Sequence, residues 1–119
     1  MKIELNHTIV PAHDKEQSAR FYERIFGFKY EGPLGHFAPV RIESQSLSLD
    51  FDNSESFQPH HYAFKVGETE IDEIFGRVKA EGLAYGSGPF SLDDLKINKW
   101  NGGRGVCFRA SAGIAHERV

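Results

Sequence analysis

Two short β-like runs, each with a histidine at the corresponding place, constrain this chain more than any other feature. Leu5-Asn6-His7-Thr8-Ile9-Val10 near the N-terminus is matched in kind by His61-Tyr62-Ala63-Phe64-Lys65-Val66 near the midpoint. A polar break and a segment of helical period follow each run, and laying His7 on His61 also lays Phe21 on Phe75. Self-similarity on this scale indicates two copies of one supersecondary unit, neither able to bury its apolar face alone. Packed as pseudo-symmetric partners, the copies would bring the two histidines together.

The order of elements within each copy follows from local pattern. Lys2 to Val10 alternates and reads as a strand. Asp14, with Gln17 three residues on, is a capping-box start, and Phe21, Tyr22, Ile25 and Phe26 recur at helical spacing before Gly27. These residues predict a helix over 15–26. Phe28 to Tyr30 is a short strand, and Ala38 to Glu43 and Ser46 to Asp52 form a hairpin joined near Ser44-Gln45. Val40, Ile42, Leu47, Leu49 and Phe51 share one face of that hairpin; Arg41, Glu43, Ser48, Asp50 and Asp52 share the other.

Asn53 to Pro59 is polar and turn-prone, which divides the chain into modules of about 1–56 and 57–119 within a single domain. The second module replays the first. His61 to Val66 is its opening strand, Thr69 with Asp72 its helix start, and Ile71, Ile74, Phe75 and Val78 the apolar stripe ahead of Gly82. Short strands at Leu83 to Tyr85, Arg104 to Arg109 and Ile114 to Val119 complete it, with a long Gly-, Pro- and Ser-containing loop from Gly86 to Gly103 that suits a lid or binding loop. Each half reads β-α-β-β-β, and the fold class is α+β.

Composition removes several function classes. A net charge of −3 without a basic block argues against nucleic acid and anionic membranes as partners. The apolar runs are too short to span a bilayer, and Met1-Lys2-Ile3-Glu4 does not open a signal peptide. Cys107 is the only cysteine, so no intrachain disulfide forms and a reducing, cytoplasmic setting is expected. Between Val106 and Phe108, Cys107 reads as an inert strand thiol rather than a nucleophile.

Two histidines and a carboxylate from different strands make the donor set used by iron, manganese, nickel and zinc centres, with positions left open for substrate or water. His7 and His61 are the imidazole candidates; Asp50, Asp52 and Glu117 are the carboxylates. Arg41 is expected to pair with Asp50 or Glu43 across the hairpin, the alternative being a hold on an anionic substrate.

These runs, with Ser18-Ala19-Arg20-Phe21-Tyr22, Phe26-Gly27-Phe28 and Gly103-Arg104-Gly105-Val106-Cys107-Phe108-Arg109, resemble the vicinal oxygen chelate superfamily, the glyoxalase/bleomycin resistance/dioxygenase family. The resemblance covers nearly the whole chain and lies in the order and spacing of its motifs. It implies two β-α-β-β-β modules that curl into a half-open mixed β-barrel with helices on the outer face, around a divalent zinc, nickel, manganese or iron ion. By the same resemblance His7, His61 and Glu117 are the metal ligands, Asp50 is an optional fourth, and Glu117 or Asp50 acts as general base. The turn departs from the family's Asp-Pro-Asp-Gly: it reads Ala110-Ser111-Ala112-Gly113, although Glu117 keeps its distance from Gly113. His116 is the neighbouring alternative.

The function this implies is a glyoxalase-like lyase or isomerase that chelates a small oxygenated substrate, in a homodimer. Extradiol dioxygenases need a longer chain, which lowers that expectation. A metal-free drug- or metabolite-binding protein of the bleomycin-resistance type is the alternative, and retention of both histidines speaks against it.

Overall fold

A computed structural model describes residues 2–58, 60–86, 105–110 and 113–118, with the backbone alone for residues 60–61, 105–107, 109–110 and 113–118. The chain divides into two compact units, Met1–Gln58 and Pro59–Val119.

In the first unit the elements run β1 (His7–Ala12), α1 (Lys15–Phe26), β2 (Lys29–Tyr30), β3 (Ala38–Ile42) and β4 (Leu47–Asn53). The helix starts where its cap chemistry demands. The Asp14 carboxylate accepts the Gln17 backbone N–H at 3.1 Å, satisfying a donor that the first turn leaves open. It stops at Gly27, whose left-handed φ of 75° returns its N–H to the Glu23 carbonyl.

The sheet runs β1-β4-β3-β2, with β1 parallel to β4 and the other pairs antiparallel. Strand alternation sorts the side chains as the hairpin pattern predicts. Val10, Ala12, Ala38, Val40, Ile42, Leu49 and Phe51 are buried, as are Ala19, Phe21, Tyr22 and Ile25 of the helix. The Tyr22 and Phe51 ring centroids lie 5.0 Å apart, at the centre of this core. Burying a side chain the size of Phe51 or Val40 is worth about 1.5–3 kcal/mol.

Two prolines fit without loss of a ladder bond. Pro11 lies on β1, an edge strand, and Pro39 lies beyond the end of the two-residue β2 that pairs with its neighbours Val40 and Arg41. The β3–β4 connection is a 3-10 turn over Glu43–Gln45 closed by Ser46 at φ 55°, so Glu43 leaves the strand that sequence pattern assigned to it.

The second unit runs β5 (His60–Lys65), α2 (Glu68–Ala80), β6 (Tyr85–Gly86), β7 (Gly105–Ala110) and β8 (Gly113–Arg118), in sheet order β5-β8-β7-β6. Its first and last strands are again parallel neighbours, so both units share one topology. Helix α2 begins after Gly67, earlier than the Thr69 expectation. Its first turn closes through Ile71 N–H on the Gly67 carbonyl at 3.0 Å, and Glu68 and Glu70 there complement the helix dipole without a side-chain cap. Ile71, Ile74 and Val78 are buried, and the Phe75 ring meets Tyr85 edge-on at 4.8 Å. Past Gly86 the long loop, and the Ser111-Ala112 turn, lie outside the described residues. No helix among the described residues is long and apolar enough to cross a membrane.

Candidate active site

The face of the first sheet that alternates away from α1 carries the polar residues. Backbone register sets them in two transverse rows. His7 is opposite Ser48, Ser48 opposite Arg41, and Arg41 opposite Lys29; one step along, Ile9 is opposite Asp50 and Asp50 opposite Pro39. Alternation places both rows on the same side. Together with Asn6, the residues His7, Lys29, Arg41, Ser48 and Asp50 line a cavity of about 560 Å³, within the range of small-molecule sites.

His7 is exposed, and its Nδ1 lies 2.8 Å from Asn6 Oδ1. An amide oxygen only accepts, so this contact takes the Nδ1–H tautomer of the neutral imidazole, whose Nε2 keeps a lone pair for a ligand. A metal-binding imidazole needs this arrangement: the partner on one nitrogen fixes ring and tautomer for the other. Asp50, half-buried, stands diagonally from His7 on the adjacent strand, roughly 8 Å away between Cα atoms. Ser48 Oγ donates to Asp50 Oδ1 at 2.5 Å, leaving the second oxygen for another partner. This donor set fits one side of a divalent-ion site.

Asp52 shares the face but is engaged elsewhere: His36 Nδ1 lies 3.1 Å from its Oδ1. Arg41 pairs with neither Asp50 nor Glu43, contrary to expectation. Lys29 takes that role instead, 3.4 Å from Glu31 and 3.9 Å from Glu43. Asn6, Lys29, Glu31, Pro33, Leu34 and Pro39 also line the cavity, and sequence pattern did not single them out as site residues. The signal for Asn6 was its place beside His7; for Lys29 there was none until register placed it.

In the second unit His61 is opposite Ile114, Ala63 opposite His116, and Phe64 opposite Glu117. The side chains of His61, His116 and Glu117 lie outside the described ones. The two ladders start alike: His7 pairs with the second residue of β4, and His61 with the second residue of β8. Among the described residues no three His, Cys, Asp or Glu converge to hold a metal ion unaided.

The hydroxyls of Tyr62 and Tyr30 are shifted. Burial pushes the Tyr62 hydroxyl up. On the helix side of the first sheet, burial, reinforced by a hydrogen bond to Glu16 and that carboxylate's charge, raises Tyr30 to about 12. Tyr30 therefore remains a neutral donor to Glu16 and has no part in the cavity.

No family model and no curated protein matches the chain. Solved structures do. It is 40% identical to Oxidase ChaP-H2, over 100% of this chain and 94% of that one, with a TM-score of 0.93. It is 39% identical to Oxidase ChaP-H1, over 99% and 96%, at a TM-score of 0.91. The fosfomycin resistance protein FosX from Listeria monocytogenes shares the fold at 21% identity and a TM-score of 0.75, over 99% and 93%. With a duplicated β-α-β-β-β unit, a histidine opening each copy and this likeness over its full length, the chain belongs to the vicinal oxygen chelate superfamily.

Proposed function

We propose that the protein is a metal-dependent oxidase acting on a small substrate with two neighbouring oxygens, with dioxygen as electron acceptor. The observation that carries this reading is the likeness to two oxidases at about 40% identity over almost their whole lengths. Those chains are hardly longer than this one.

A divalent ion of the iron, manganese, nickel or zinc class would supply a positive centre for the two substrate oxygens and, if redox-active, a path for electrons to dioxygen. His7 Nε2, His61 and Glu117 would hold it, with Asp50 as a fourth donor. Asn6 keeps the His7 ring in the donor orientation. Asp50, held at one oxygen by Ser48, would take the proton from a substrate hydroxyl as its oxygen gains negative charge. A homodimer is the expected assembly.

A glyoxalase-like lyase or isomerase is the second reading, favoured by the same Asp50: a half-buried carboxylate beside a ligand histidine suits proton abstraction next to a carbonyl. Elemental analysis, followed by an oxygen-electrode assay with vicinal diols and hydroxyketones, separates the readings. Metal-dependent oxygen uptake that is lost in His7→Ala is expected. Turnover of a hemithioacetal without oxygen uptake would favour the lyase, and protein that takes up no metal would point to a binding protein.

A further inference from the structure

We propose that Arg41 receives an acidic oxygen of the substrate, so that this site selects molecules carrying a carboxylate about one aromatic ring away from the oxygens presented to His7. The inference rests on reading the His7–Asp50 cavity as the substrate site. Register puts Arg41 in the same row as His7 with Ser48 between them, two strand spacings or roughly 10 Å apart at Cα. Both residues line the one cavity.

Charge accounting singles Arg41 out. Lys29, the other cation on this wall, is held by Glu31 at 3.4 Å and Glu43 at 3.9 Å; Glu31 lines the same cavity, and its charge is offset by Lys29 rather than by Arg41. Asp50 accepts from Ser48 Oγ, and Asp52 faces His36. Arg41 is left with no ion-pair partner among the described residues, though Glu43 is only two residues along the chain. Pro33, Leu34 and Pro39 supply apolar lining to the same cavity. The wall thus offers metal-type donors at one end, apolar surface for a ring, and an uncommitted guanidinium at the other. A planar fork of donors matches a carboxylate bidentately, which a lysine ammonium cannot do.

The test uses full-length, metal-loaded protein and two probes that differ by one charge and one methyl group, protocatechuate and its neutral methyl ester, with binding read by calorimetry. A charge-assisted contact predicts about a tenfold to hundredfold preference for the acid in the parent protein. That preference should shrink with added salt. Arg41→Met should abolish it while leaving ester affinity within about twofold, and Arg41→Lys should retain part of it. Arg41→Gln repeats the comparison should the methionine variant fail to fold. Equal affinities in the parent, or a preference that persists without the guanidinium, overturns the assignment of Arg41 and leaves the site standing. Binding of neither probe, or binding indifferent to His7→Ala, overturns the substrate-site reading and this inference with it.

Discussion

The Nδ1 of His7 and the side-chain oxygen of Asn6 are 2.8 Å apart, which leaves Nε2 as the imidazole nitrogen open to a ligand. Removing that partner frees the ring to rotate and to change tautomer. Asn6→Leu should therefore lower divalent-metal affinity by about tenfold to a hundredfold, the usual effect of losing an outer hydrogen bond to a ligand histidine. Calorimetric metal titration of the variant checks this, with the melting profile expected to match the parent.

The two carboxylates should differ in weight. Glu117→Gln should weaken metal binding greatly, because it removes the negative charge of the expected triad. Asp50→Asn should weaken it less, since its Ser48 contact survives as a hydrogen bond. Metal titration of both variants decides the order; the reverse order would assign the working carboxylate to the first unit.

Tyr30 predicts a pH dependence of stability. Its hydroxyl ionises near 12 in the folded protein against an ordinary value of 10.0. The unfolded chain therefore sheds this proton first as pH rises. The stabilisation is fully present below pH 10 and is lost progressively as pH climbs towards 12. In Tyr30→Phe this part of the alkaline decline should vanish. Denaturant midpoints measured across that window, beside the ultraviolet phenolate difference spectrum, provide the check.

Phe51 is fully buried against Tyr22 beneath α1. Phe51→Ala should cost about 3–5 kcal/mol, through lost transfer energy and an unfilled cavity. Urea denaturation should show a lower midpoint with little change in slope.

Assembly offers a further test. Ile3, Leu5 and Ile9 all fall at odd positions, with His7 between the last two, and are 83%, 68% and 56% exposed. A homodimer that covers them should be disrupted by Ile9→Lys, with sedimentation equilibrium moving from dimer to monomer. A parent protein monomeric at micromolar concentration would refute the dimer.

Much of this architecture was legible because it depends on local period and cap chemistry. Asp14 and Gly27 bound α1 where their side-chain and φ preferences require, and Val40, Leu49 and Phe51 fall on one face because strands alternate. The partners of Arg41 were not legible. Whether Arg41 or Lys29 meets Glu43 depends on how β2 lies against β3 and on the 3-10 turn that carries Glu43 out of the strand, and neither leaves a mark on hydrophobic pattern. The start of α2 was misplaced for a related reason: Gly67 offers no side chain to announce it.

The pairing of the first strand of each unit with its last has a consequence for synthesis. His7 waits for Ser48 and His61 for Ile114, so each ladder joins segments about 40 and 50 residues apart. Such long-range closure is slow compared with helix formation. As the chain leaves the ribosome, β1 emerges early and remains an unpaired edge until β4 follows, whereas α1 can wind at once. An unpaired edge is open to misassociation during that interval, and by the same reasoning the wait of β5 for β8 is the longer of the two.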